Sequence, residues 1–147
     1  MTFAASPLPD RARVEAAVER ARSQPLGRPI SPRELSRCQR LSLAPHVQLL
    51  ELDQDLSRCW PTGRSPNAAR PDRHVVVFRF DGEVRVQAWP ELSWRLLDAL
   101  DRGQTMAEAS ETTIAHGIDR WTFRHVADEW LQIAAWRGLL EQAPVAC

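Results

Sequence analysis

Two runs rich in β-branched and aromatic residues flank the pair Asp81-Gly82. The runs extend from His74 to Phe80 and from Glu83 to Trp89. An Asp-Gly pair between two such runs is the strongest short signal for a β-hairpin with a two-residue turn. The sequence therefore predicts an antiparallel hairpin in which Phe80 lies opposite Glu83 and alternate side chains point to opposite faces.

The two faces of this hairpin differ in composition. One face is almost entirely aliphatic and is predicted to be the core face; it carries Val75, Val77, Val84, Val86 and Ala88. The other face mixes apolar and polar residues in three opposed pairs, which are Val76 with Gln87, Phe78 with Arg85, and Phe80 with Glu83. We expect Val76, Phe78 and Phe80 to meet either the N-terminal helices or a partner protein.

Three helices are predicted after the hairpin. The first runs from Pro90 to Arg102 and ends at Gly103, and the second opens with the capping box Thr105-Met106-Ala107-Glu108. A long third helix starts with Asp119 or Thr122 as its cap and continues to about Arg137. Its predicted buried stripe is Phe123, Val126, Ala127, Trp130, Ile133 and Ala134.

The segment before the hairpin contains two further helix signals and a loop. A helix is predicted over 10–24, with Val14, Ala17, Val18 and Ala21 at helical spacing. Ser31-Pro32-Arg33-Glu34 predicts a short helix that ends near Leu41. Residues 46–52 are predicted to form a strand or a short extension. Residues 53–73 are punctuated by Pro, Gly and Asn and predict a long loop.

Charge and hydropathy limit the classes of function. The 147 residues include 19 Lys and Arg and 19 Asp and Glu, so the chain lacks the basic surplus that phosphate binding favours, which argues against nucleic acid as a partner. It has neither a run of 18 apolar residues nor a signal-peptide pattern. These features predict a cytoplasmic protein with no membrane partner, in which Cys38, Cys59 and Cys147 are free thiols.

The potential catalytic and metal-binding side chains are scattered. His46, His74, His116 and His125 stand singly, without a second ligand at one-turn spacing, and the three cysteines fit no zinc pattern. The sequence contains no G-x-S-x-G, P-loop or G-x-G-x-x-G motif. We therefore predict that the chain is not an enzyme and carries no metal or cofactor of its own.

The order of the predicted elements resembles a known family. Three pieces carry the resemblance: VVVFRFDGEVRVQ, then LLDALDRGQTMAEASE, then FRHVADEWLQIAAWRGLL. Together they are similar to the PqqD-like domain, also called the RiPP recognition element, which has a winged-helix-like α+β fold with a small antiparallel sheet and three helices. The resemblance implies a peptide-recognition domain at 46–141, preceded by an N-terminal helical segment at 1–45 and followed by a tail at 142–147.

The resemblance also implies a function. PqqD-like domains bind the leader of a ribosomally synthesised precursor peptide, which adds as a strand to the sheet edge and packs against the last helix. On the present chain this implies a peptide site formed by two groups of residues: Arg85, Val86 and Gln87 on the second hairpin strand, and Arg124, Asp128 and Leu131 on the last helix. The other sheet edge near 46–52 and the loop 53–73 are alternative sites.

The N-terminal segment and the pattern around Trp94-Arg95-Leu96-Leu97 narrow the resemblance further. They are similar to partner subunits of multinuclear non-haem iron-dependent oxidative enzymes, as in the methanobactin and 3-thiaglutamate pathways. This resemblance implies a heterodimer in which the enzyme holds the iron. Trp94 and Trp121 are candidate contacts to the enzyme, together with Val76, Phe78 and Phe80. A winged-helix DNA-binding regulator remains the alternative function, since it shares the topology.

Overall fold

The computed structural model describes residues 8–37, 40–61 and 72–143, and these form an α+β fold with an N-terminal helix. The helices are α1 (Asp10–Ser23), α2 (Glu91–Asp101), α3 (Met106–Ile114) and α4 (Arg120–Trp136). The strands are β1 (Leu41–Leu43), β2 (Gln48–Glu51), β3 (His74–Phe80), β4 (Glu83–Ala88) and β5 (Leu140–Gln142). Two short 3-10 helices cover Pro32–Arg37 and Leu56–Arg58. The predicted α+β class, with three helices after the hairpin, is confirmed.

Strands β2, β3 and β4 form an antiparallel sheet in that order. Asp81 and Gly82 have φ angles of 54° and 79°, and two positive φ angles are typical of the type I′ turn that fits the twist of a hairpin. Phe80 lies opposite Glu83, as predicted. The register continues to the end of the hairpin, where Val75 lies opposite Ala88.

Both faces of this sheet are covered, and the face predicted to be the core face is the one that meets the N-terminal helix. Val76 and Phe78 are fully buried and belong to the main core with helices α2, α3 and α4. Val75 and Val77 are also fully buried, but they pack against α1 in a second, smaller core. Which helices cover each face could not be predicted, because an amphipathic helix can cover either face and alternation within the strand does not show how many helices lie above it.

The helix boundaries follow from their caps. Thr105 and Glu108 form the predicted capping box at the start of α3, and the side chain of Asp119 accepts a hydrogen bond from the Thr122 N–H at the start of α4. In α1, Val14, Ala17, Val18 and Ala21 are buried as predicted. Ile133 in α4 is an exception, because 41% of it is exposed although it was predicted to be buried.

A second, two-stranded sheet was not predicted. Strand β1 pairs with β5, with Leu43 opposite Leu140, and Ala44 N–H donates to the Leu139 carbonyl at 2.8 Å. The helix predicted to reach Leu41 instead ends as the 3-10 helix Pro32–Arg37. Strands of three residues are too short to show a period of two, so the sequence carried no usable signal for them.

The long loop is closed at its base by one side chain. Asp55 accepts hydrogen bonds from the N–H groups of Ser57, at 3.0 Å, and Asp72, at 2.6 Å. The rest of the predicted loop, 62–71, lies outside the described residues, as do 144–147 of the predicted tail. Gln142 of that predicted tail belongs to β5, and α1 and β1 of the predicted N-terminal segment contact β3 and β5 respectively.

Candidate functional site

Strand β4 is the outermost strand on one side of the three-stranded sheet. The N–H of Trp89 donates to the His74 carbonyl at 2.8 Å, and hydrogen-bonded pairs alternate along an antiparallel ladder. The backbone groups of Glu83, Arg85 and Gln87 therefore turn towards β3. The N–H and C=O groups of Val84, Val86 and Ala88 turn outwards, and among the described residues no hydrogen bond to them is present.

The opposite edge, at β2, offers much less free backbone. The same alternation turns Gln48 and Leu50 towards β3, since they lie opposite Val77 and Val75. Of the two outward residues, Glu51 already accepts a hydrogen bond at its carbonyl from the Arg13 side chain at 2.8 Å. An added strand would therefore find more unpaired donors and acceptors at β4 than at β2.

The C-terminal end of α4 lies beside β4. Arg137, which follows the last residue of α4, donates from Nη1 to Oε1 of Gln87 at 3.2 Å. The rings of Phe80 and Trp136 are 5.4 Å apart, and the Arg137 guanidinium carbon lies 5.9 Å from the centre of the Trp136 ring. Phe80, Arg85 and Gln87 share the sheet face that points towards this helix end.

An exposed apolar strip runs along this end of α4. Trp136 is 63% exposed, Ile133 is 41% exposed, and Phe80 is half-buried beneath Trp136. Large exposed aromatic side chains are frequent anchors in interfaces. We call Phe80, Ile133 and Trp136 the α4 strip; it is adjacent to Arg137, which contacts Gln87 of β4.

The helix residues predicted to bind the peptide lie elsewhere on α4. Ile133 lies nine positions after Arg124, and Arg137 lies nine positions after Asp128. Nine positions correspond to about two and a half helical turns, so the two side chains of each pair point in opposite directions. Arg124 and Asp128 are exposed on the side away from β4, and Leu131 packs against the main core. The structure thus places Arg85, Val86 and Gln87 on β4, with Val86 facing α1, and does not place Arg124 or Asp128 beside them. The sequence contained no signal for the direction in which α4 crosses the sheet.

The structure corrects three of the predicted partner contacts. Val76 and Phe78 are completely buried, and Trp94 is 5% exposed with its Nε1–H donating to the Val75 carbonyl at 3.1 Å. Such residues have no surface to offer a partner in this fold. Trp121 is 70% exposed and stacks on His125 with a centroid distance of 3.9 Å, so it remains available for contact.

The titratable groups near the sheet are held by hydrogen bonds. Oε2 of Glu51 lies 2.8 Å from Nε2 of His74 and 2.6 Å from Nη2 of Arg95. Burial alone would raise the pKa of Glu51, but the His74 and Arg95 contacts lower it below its usual value. Such a carboxylate stays ionised and is poorly suited to accept a proton from a substrate.

The thiol of Cys59 and the guanidinium of Arg120 are also held by neighbouring groups. Burial raises the pKa of the Cys59 thiol, and its Sγ donates weakly to the Leu56 carbonyl at 3.5 Å. Arg120 is paired with both carboxylate oxygens of Glu111, at 2.5 and 3.1 Å, which reduces its use for phosphate binding. Within 8–37, 40–61 and 72–143, no group of three His, Cys, Asp or Glu side chains is arranged to hold a metal ion.

Comparison with known proteins adds no assignment. No family model, no curated protein and no solved structure matches this chain. Among the described residues there is also no helix whose length and apolar character would let it cross a membrane. The function has therefore to be inferred from the β4 edge, the α4 strip and the order of motifs in the sequence.

Proposed function

We propose that this chain is a non-catalytic partner protein that binds the leader of a ribosomally synthesised precursor peptide. The observation that carries the proposal is the unpaired outer edge of β4, at Val84, Val86 and Ala88, beside the exposed α4 strip. The sequence resemblance supplies the class of peptide. It also supplies the second partner, a multinuclear non-haem iron-dependent enzyme that modifies the presented core of the peptide.

Backbone pairing would provide the general affinity. Three outward residues of β4 each offer one donor and one acceptor to an extended peptide, and a typical hydrogen bond contributes about 0.5–1.5 kcal/mol net. Ordering a flexible leader costs part of this gain. The apolar α4 strip therefore has to add binding energy, and Trp136 is its most exposed large side chain.

The enzyme would use another part of the surface. Trp121 lies at the start of α4 and Trp136 at its end, fifteen residues further on, which corresponds to roughly 22 Å along the helix axis. A leader on β4 and an enzyme that contacts Trp121 could therefore be bound together. In this arrangement the chain holds the leader while the iron and the chemistry belong to the enzyme.

Two measurements test the proposal. Fluorescence anisotropy with a labelled leader, taken from a short precursor peptide encoded beside this chain, should show saturable binding that Val86→Pro weakens. Size-exclusion chromatography of the chain co-expressed with a neighbouring iron-dependent enzyme should show one complex. Separate elution at micromolar concentration, together with a leader affinity that Val86→Pro does not change, would contradict the proposal.

A further inference from the structure

A cleft lies between α1 and β4, on the face of the hairpin that is opposite to the α4 strip. Helix α1 lies mainly over β2 and β3, and Val84 and Val86 of β4 are left half-buried. Val18 of α1 and Trp60 contribute to the walls of this cleft, which has a volume of about 530 Å³. Val84 and Val86, whose backbone groups belong to the unpaired edge of β4, both line the cleft.

The geometry of a β-strand connects this cleft to the proposed peptide site. Side chains alternate between the two faces of a sheet, so a strand paired with β4 would place every second side chain on the α1 face. The positions directly across from Val84 and Val86 are of this kind, since both side chains face α1. A peptide on β4 would therefore have side chains on both faces of the sheet. Those on one face would contact the α4 strip, and those on the other would enter this cleft.

The walls beside Val86 favour an aliphatic side chain. Val18, Trp60, Val84 and Val86 present apolar surface to the cleft. Trp60, Val84 and Val86 are each partly exposed, so a methyl-rich side chain placed between them would remove apolar surface from water. A charged group would lose hydration there without gaining a partner.

The turn end of the cleft has a different chemistry because it contains Arg79. Nη2 of Arg79 donates to the Gln24 carbonyl at 2.6 Å, whereas its Nε is buried without a hydrogen-bond partner. Within the described part of the chain Arg79 forms no ion pair, while the neighbouring Arg22 is paired with Glu19. Glu83 also lines the cleft, but its carboxylate is paired with Arg85 at 3.4 Å, so a carboxylate brought to this end would meet the positive charge of Arg79.

We propose that the cleft between α1 and β4 is a second subsite for the leader, which takes an aliphatic side chain over Val86 and a carboxylate beside Arg79. The inference rests on the proposed binding of a peptide to β4. Arg79 lies opposite Val84 in the sheet register, so the carboxylate belongs to the peptide residue across from Val84. The leader therefore carries an aliphatic and an acidic residue two positions apart.

A displayed library of random nonapeptides tests this inference on the full chain. Peptides are selected on the wild-type protein and counter-selected on Val86→Pro, so that the survivors depend on the β4 edge. We expect these survivors to be enriched in an aliphatic and an acidic residue at i and i+2. Edge-dependent peptides without this pair would overturn the subsite and leave the peptide-binding function standing, whereas a lack of edge-dependent peptides would overturn both.

A double-mutant cycle then tests the role of Arg79 with one enriched peptide and its analogue in which the carboxylate becomes an amide. Arg79→Gln should weaken binding of the acidic peptide about fivefold or more and leave the amide peptide within about twofold. Arg79→Lys keeps the charge and should retain the preference for the acidic peptide. Thermal unfolding of each variant controls for the fold. Equal losses for both peptides on Arg79→Gln would overturn the assignment of the carboxylate.

Discussion

Arg137 donates a hydrogen bond from Nη1 to Oε1 of Gln87 at 3.2 Å, and this contact joins the end of the last helix to the outermost strand of the sheet. It holds the α4 strip beside the backbone groups of β4 that have no partner among the described residues. The same strand also forms one wall of the cleft against α1. A peptide on β4 would consequently touch both the N-terminal helix and the last helix.

The first prediction concerns the direction of the backbone groups of β4. Val86→Pro removes an N–H that points outwards, a position at which proline is tolerated in an edge strand. We expect the melting temperature to change little and leader affinity to fall about tenfold, as measured by fluorescence anisotropy. Gln87→Pro is the matched control, because it removes an N–H that pairs with β3 and should destabilise the fold itself. Equal destabilisation by both substitutions would show that the assignment of inward and outward backbone groups along β4 is wrong.

The hairpin and the helix boundaries could be predicted because local chemistry determines them. The two-residue turn requires two positive φ angles, which Asp81 and Gly82 accept more readily than most residue pairs. The side chains of Thr105 and Asp119 accept hydrogen bonds from backbone N–H groups that are otherwise unpaired at the helix starts. The predicted β4 residues Arg85, Val86 and Gln87 followed from the same register. Each of these features depends on residues that are near one another in sequence.

Features that depend on distant contacts could not be predicted in the same way. Val76 and Phe78 were predicted to meet the N-terminal helices or a partner because their face also carries Arg85 and Gln87. Those two polar residues lie on the edge strand, where side chains can reach solvent. Trp94 is buried because a backbone carbonyl of β3 accepts its N–H. Which side of α4 lies beside β4 is decided by how the helix packs on the sheet, and the spacing of apolar residues in the sequence does not reveal this.

The second prediction distinguishes the two exposed tryptophans of α4. Trp136→Ser should reduce leader affinity roughly tenfold, because a large side chain of the α4 strip is lost, and should leave enzyme binding intact. Trp121→Ser should have the reverse effect. Anisotropy with the leader and co-elution with the enzyme measure the two effects separately. Loss of both leader binding and enzyme binding in either variant would refute separate binding surfaces for the leader and the enzyme.

The third prediction compares arginines on opposite sides of α4. Arg137→Glu breaks the contact with Gln87 and reverses the charge next to the α4 strip, so leader affinity should fall at least about fivefold. Arg124→Glu makes the same change of charge on the side away from β4, and affinity should stay within about twofold. A larger effect at Arg124 than at Arg137 would place the peptide on the other flank of the helix.

The fourth prediction concerns metal content. We expect the isolated, purified chain to bind no stoichiometric iron and to modify no peptide without the enzyme. Elemental analysis of the chain alone and of the co-purified complex is the appropriate comparison, with iron expected in the complex. About one iron per isolated chain, lost when His74 or His116 is replaced, would show that the chain has a metal site of its own.

The last prediction depends on the buried imidazole of His46. This ring accepts the backbone N–H of Arg79 at the place where a further residue of β2 would otherwise pair with it. Nδ1 accepts the N–H of Arg79 at 3.0 Å, and Nε2 lies 3.3 Å from the Gly138 carbonyl. An amide always donates and a carbonyl always accepts, so the ring is the neutral tautomer with its hydrogen on Nε2. Burial is the main cause that lowers the pKa of His46, and the charge of Arg79 acts in the same direction, whereas Gly138 and Glu141 oppose them.

The fifth prediction is that stability falls as the pH drops below the ordinary histidine value of 6.5. Between the lowered folded pKa and 6.5 the unfolded chain binds more protons at this site, so protonation favours unfolding in that window and stability rises with pH across it. His46→Asn keeps an acceptor for the Arg79 N–H but cannot titrate. Urea unfolding from pH 7.5 to 5 should therefore show a shallower decline in the variant. Equal slopes for the two proteins would mean that His46 is not the group responsible.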